Sequence, residues 1–106
     1  MNAVEKAILC RFKELLLKRL PLYKMILFGS RARGDADPES DMDVLAVLED
    51  TASDQAKDID SDCAWEAGFA QGIMVVPITF RRKQWEEGPA RYSLLAIAVE
   101  NEGVPV

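Results

Sequence analysis

Three short apolar runs limit how this chain can fold: 23-YKMILFG-29, 42-MDVLAVLE-49 and 73-IMVVPITF-80. Each has the length of a strand and is rich in aliphatic residues, and the first, stopped by Gly29, suits a buried strand. Around them lie segments of helical period. Val4, Ile8, Phe12, Leu15, Leu16 and Leu20 mark one amphipathic helix, ended by Pro21. Ala52, Ala56, Ile59, Cys63, Ala67 and Ala70 mark another, opened by a capping-box pattern at Thr51 and Asp54 and stopped at Gly72. The run 81-RRKQWEEG-88 reads as a loop or short helix. Residues 90–103 read as a last helix with Leu94, Leu95 and Ala98 inward and Gly103 at its end. Pro77 cannot donate to a β-ladder, so the third strand is predicted at a sheet edge. The order is α-β-α-β-α-β-α, its second helix being the few turns after Gly29. This is an α/β layer structure of three strands covered by helices. At 106 residues the whole chain, 1–106, is read as a single domain.

The charge balance excludes several function classes. A net charge of −5 and a pI near 4.7 oppose non-specific attraction to nucleic acid or an anionic membrane, so direct nucleic-acid binding is not expected. The absence of histidine sets aside most zinc sites and His-based acid–base schemes. Cys10 and Cys63 are expected to be reduced, buried thiols. The first twenty residues scatter charges through their apolar positions, unlike a signal peptide or a membrane span, and a cytoplasmic location is expected.

The chemistry concentrates in 28-FGSRARGDADPESDMDV-44, where acids recur at alternate positions. An EF-hand calcium loop starting at Asp35 would need Gly at its sixth position and Glu at its twelfth; Ser40 and Ala46 stand there instead. Asp35, Asp37 and Glu39 lie in a Gly/Asp/Pro/Ser segment and are expected to be solvated turn residues. The acids of 54–62 (Asp54, Asp58, Asp60 and Asp62) are expected to form a solvated helix face. Asp41 and Asp43 differ, because they enter the second strand. Residues two apart on a strand share a face, ~6.6 Å apart, so a cation between them would relieve their repulsion. Hard oxygen ligands suit Mg²⁺, which binds through one or two carboxylates together with substrate phosphates. Just upstream, a strand ends in Gly29-Ser30 and turns towards a helix start. Glycine allows close approach of backbone to a phosphate, and helix-start amides bind anions. Ser30 adds a hydroxyl; Arg31 and Arg33 add positive charge that either meets phosphate or pairs with the local acids. An anion cradle and a metal cradle thus stand on adjacent strand ends, as a nucleoside triphosphate carrying Mg²⁺ requires.

Gly29-Ser30, a short basic segment ending in Gly34, then Ser40-Asp41-x-Asp43 at a strand start resembles the nucleotidyltransferases of the DNA polymerase β superfamily, and more narrowly the minimal nucleotidyltransferases. The resemblance implies a palm-like fold with a three-stranded mixed sheet. It implies that Ser30, with Gly29, Arg31 and Arg33, binds the nucleotide, ATP. Asp41 and Asp43 are then the catalytic residues that hold Mg²⁺. It further implies transfer of AMP to a hydroxyl, such as a tyrosine of a HEPN-type toxin encoded by an adjacent gene, with this chain acting as antitoxin. The family also uses a third carboxylate, on the strand after the intervening helix. Here that strand, 73–80, has no Asp or Glu; Thr79 is its only side-chain oxygen, and Glu86 and Glu87 come later. A second reading follows: a catalytically weak or inactive module that neutralises its partner by complex formation. Phe80, Trp85, Tyr92, Leu94 and Leu95 are expected to serve mainly as core, with an interface as the alternative.

Overall fold

The second apolar run becomes the centre of the molecule. In this computed structural model, which covers residues 1–106, it forms β2 (Met42–Leu48), with Val44 to Val47 wholly buried. A strand covered on both faces reads as a continuous apolar run because neither face meets water. The first run forms β1 (Leu22–Phe28), antiparallel to β2, and the third forms β3 (Val75–Arg81), parallel to it. β3 lies at the sheet edge, where Pro77 was expected to put it.

Helices pack on both faces of this mixed sheet. α1 (Ala3–Arg19) and α3 (Ala56–Phe69) cover one face, burying Ile8, Phe12, Leu16 and Cys63 against Met25, Leu27, Val44 and Ala46. α4 (Arg82–Glu87) and α5 (Leu94–Glu102) cover the other, where Trp85, Ala96 and Val99 meet Phe28, Leu45 and Val47. α2 is the single turn Ser30–Arg33. No helix is long and apolar enough to cross a membrane.

The sheet has four strands, not three: β4 (Val104–Pro105) adds to the free edge of β1, with Pro105 opposite Ile26. Two residues are too few to leave a period in the sequence. Other differences are local. The Thr51–Asp54 capping box does not form, and α3 starts after Gln55. Ser93 caps α5 by accepting the Ala96 amide, which sets the helix phase so that Ala96 and Val99 point inward. Leu94, expected inside, is 85% exposed. Tyr92 is exposed too, whereas Trp85 is buried. Cys63 is buried as expected, but Cys10 is exposed; both are free thiols.

Candidate functional site

The ends of β1 and β2 bring the two halves of the acidic motif together. Phe28, the last residue of β1, pairs with Asp43, the second residue of β2. The next residue, Gly29, has φ 79° and ψ −159°, a conformation that side-chain-bearing residues rarely adopt. A Cβ placed there would stand 2.6 Å from the Asp43 Oδ2. Glycine is therefore required twice, by the backbone angle and by the carboxylate lying against it. The Ala32 and Arg33 amides both donate to the Gly29 carbonyl at 3.1 Å, closing the α2 turn. The donors this leaves for an anion are the Ser30 and Arg31 amides, with the Ser30 hydroxyl beside them.

Asp41 stops one residue short of β2 and is exposed, while Asp43 is half-buried inside the strand. Burial, then the charge of Asp41, pushes the Asp43 carboxyl above the usual carboxylate range. A divalent cation bound between them would remove both penalties, so the pair fits one Mg²⁺ shared with nucleotide phosphates. No group of three or more acidic, His or Cys side chains gathers to hold a metal by itself.

The two arginines do not behave alike. Arg31 is buried and its guanidinium is engaged within the protein. Its Nη1 pairs with the buried Glu5 at 3.1 Å, its Nε donates to the Ser40 carbonyl at 2.9 Å, and its Nη2 donates to the Ser40 and Pro38 carbonyls at 2.7 and 2.9 Å. Burial pushes the Glu5 carboxyl up, but the Asn2 amide and Arg31 outweigh it and hold it below its ordinary value. Arg31 thus ties α1 to the loop that delivers Asp41, because the Ser40 carbonyl belongs to the peptide bond leading into that residue. Of the two alternatives read from the sequence, phosphate or a carboxylate partner, Arg31 here takes the carboxylate, that of Glu5. Arg33 is exposed and bridges Asp35 at 3.3 Å and Glu102 at 3.0 Å. Asp35, Asp37 and Glu39 lie in the connection between Gly34 and β2 and are all exposed, as expected of solvated turn residues.

The register shows what faces Asp43 on the neighbouring strand. Val76 lies opposite Asp43 on the neighbouring strand, and alternation puts the two on one face with Leu45, Val47, Ile78 and Phe80. Thr79 points to the other face. There its hydroxyl donates to Asp60 Oδ2 at 2.5 Å, and the second oxygen of Asp60 has no partner. Asp60, expected on a solvated face, is completely buried, and burial raises its pKa to about 6 against the opposing effect of the Thr79 hydrogen bond. The signal was present in the sequence: Asp60 falls in the helical stripe of Ala56, Cys63 and Ala67. Neither Thr79 nor Asp60 can reach the Asp41–Asp43 site, because the sheet lies between.

Comparison with known proteins agrees with this architecture. The nucleotidyltransferase domain family matches residues 9–104. A Methanocaldococcus jannaschii protein described as a "putative protein adenylyltransferase" is 36% identical over 61 residues, which span 58% of this chain and 62% of that protein's length, less than two thirds of it. Among solved structures, a toxin–antitoxin complex with AMP-PNP contains a chain that superposes with a TM-score of 0.61 at 20% identity, covering 91% of this chain and 69% of its own. The complex of the tri-AMPylated Shewanella oneidensis HEPN toxin with its MNT antitoxin gives a TM-score of 0.56 at 18% identity, covering 96% and 70%. At such identities the structural likeness speaks for the fold.

Proposed function

Because this chain belongs to the nucleotidyltransferase domain family, we propose that it binds ATP with Mg²⁺ at the Gly29–Asp43 site and transfers AMP to a tyrosine hydroxyl of a HEPN-type toxin, acting as its antitoxin. The observation that carries the reading is the contact of Gly29 with Asp43, which makes the phosphate turn and the metal-binding acid one continuous surface. Ser30 and the first amides of α2 would hold the terminal phosphates. Asp41 and Asp43 would hold the metal, which supplies charge neutralisation on the phosphate oxygens. Arg31 keeps Asp41 in place through Ser40, and Arg33 is free to exchange its carboxylate partners for phosphate. In the transfer, the acceptor oxygen bonds to the α-phosphorus, the bond to pyrophosphate breaks, and the hydroxyl proton leaves to solvent. The protein's share is position and electrostatics.

A second reading is favoured by β3. With Val76 where a third carboxylate would stand, no acid helps deprotonate the acceptor. A loss of ~4 kcal/mol at the transition state would slow transfer by about three decades while leaving nucleotide binding in place. On this reading the chain neutralises its partner by complex formation. Intact-mass measurement of the partner after co-expression, beside the Asp41→Ala/Asp43→Ala variant, separates the two. Additions of nucleotide mass that vanish with the variant support transfer. A stable complex with an unmodified partner supports the binding module, and the absence of any complex or nucleotide binding refutes both.

A further inference from the structure

We propose that the exposed apolar strip formed by Trp65, Phe69 and Met74, with the half-buried Pro77 beside it, is the surface on which the acceptor protein docks, and that it recognises an apolar ridge flanked by lysine or arginine. This rests on the reading that the chain acts on a protein partner. Trp65 is 66% exposed, Phe69 68% and Met74 66%, and the Trp65 and Phe69 rings stack with centroids 4.7 Å apart. Together with Pro77 they line a groove of about 500 Å³ between α3 and the β3 edge. Contiguous exposed aromatic and aliphatic surface of this kind marks interaction sites.

Two observations select the occupant. The first is position. The strip lies at the end of the sheet that carries the two carboxylates: the Met42 amide, between Asp41 and Asp43, donates to the Met74 carbonyl at 2.9 Å, and Val75 pairs with Met42. The strip is on the α3 face and the carboxylates are on the other, so a protein seated here would reach the proposed nucleotide site around this end of the sheet and the β3 edge. The second is charge. Asp58 and Asp62 precede Trp65 and Phe69 along the same exposed stripe of α3, and neither has a cationic partner within 4.0 Å. Asp35, Glu39 and Asp41 stand exposed at the same end of the sheet. A second copy of this chain would bring acids against acids, whereas a basic-rimmed partner would be attracted and steered.

The test uses the full chain and the HEPN-type protein encoded by the adjacent gene as probe. Complex formation is followed by size-exclusion chromatography and calorimetry for wild type, Trp65→Ser/Phe69→Ser, Asp58→Lys/Asp62→Lys, and a control pair on another exposed apolar patch, Tyr92→Ser/Leu94→Ser. All positions are exposed, so each variant is expected to keep its melting temperature and its Mg²⁺-dependent ATP binding. The aromatic pair is expected to weaken the complex about tenfold or more, and the charge-reversed pair to weaken it mainly at low salt, while the control binds as wild type. Equal affinity of the aromatic variant and wild type, with the complex intact, overturns the docking surface and leaves the proposed function standing. Failure of wild type itself to form a complex removes the protein partner and the surface together.

Discussion

Asp60 offers the sharpest test of the packing between α3 and β3. In the folded chain it titrates at about 6, against 3.8 for the free side chain, because it is buried and only one of its oxygens is hydrogen-bonded. Folding therefore favours its protonated form. The sign follows from linkage: the native state binds this proton more tightly than the unfolded chain, so stability declines as pH rises from 3.8 to 6 and is level beyond. A gap of about 2 pH units at 1.36 kcal/mol each gives a penalty of about 3 kcal/mol at neutral pH. Asp60→Asn keeps an oxygen acceptor for the Thr79 hydroxyl and cannot ionise. Its amide also places an N–H where the orphan oxygen lay, at a cost of about 1–3 kcal/mol that does not depend on pH. The stability difference between variant and wild type across pH isolates the titration from that constant cost. Urea denaturation of both proteins from pH 4 to pH 7.5 is expected to move the difference by about 2.5 kcal/mol in favour of Asn, most of it below pH 6. A difference that stays flat within about 0.5 kcal/mol would mean that Asp60 is ionised or solvated in the native state.

Other expectations concern the candidate site. Asp43→Asn should abolish Mg²⁺-dependent ATP binding by calorimetry and transfer by mass spectrometry, and should leave the urea midpoint unchanged or raised, since it removes a half-buried charge. Gly29→Ala forces a side chain into a positive-φ position against Asp43; a loss of about 1–3 kcal/mol in urea denaturation is expected, together with loss of nucleotide binding. Arg31→Ala leaves Glu5 buried without its cation and should cost about 3–5 kcal/mol; adding Glu5→Gln should recover a measurable part. Val76→Asp adds a carboxylate beside Asp43, so Mg²⁺ should raise the melting temperature of this variant more than that of wild type, and transfer to the partner should increase.

What the sequence made legible follows from how local each signal is. β2 could be read because burial on both faces leaves an unbroken apolar run, and α1 because its stripe repeats over four turns. The Gly29–Asp43 juxtaposition was readable as two motifs on neighbouring strand ends, since a strand pairing brings whole segments together. β4 was not, because its two residues owe their conformation to the open edge of β1. The acid partner of Arg31 was not legible for a similar reason. Glu5 is 26 positions away, and an arginine next to a phosphate-type turn looks the same in sequence whether it faces solvent or the core. Leu94 went wrong by helix phase: Ser93 starts α5 and the 3₁₀ turn Pro89–Tyr92 precedes it, so the inward stripe begins at Ala96.

On the proposed function, the sheet also explains why binding and turnover would be separable in this chain. Asp43 and Thr79 sit on opposite faces, so the buried Asp60–Thr79 pair behind β3 cannot stand in for a missing metal ligand however its carboxyl titrates. On the site's own face, Val76 is continuous with Ile78 and Phe80, which pack on the layer containing Trp85 and Val99. A carboxylate at position 76 would therefore stand at the margin of an apolar layer, beside an acid that burial and Asp41 already make harder to ionise. Without a metal it would add repulsion and desolvation cost; with one it would complete a site. Valine removes that cost and with it the group best placed to assist the acceptor. The Gly29–Ser30 turn, the Asp41–Asp43 pair and the Arg31 clamp are untouched by the exchange, because none of them belongs to β3. The proposed nucleotide site would thus persist at the sheet end where the α3 strip would seat a protein, and any transfer there would rest on how well that protein holds its hydroxyl in line.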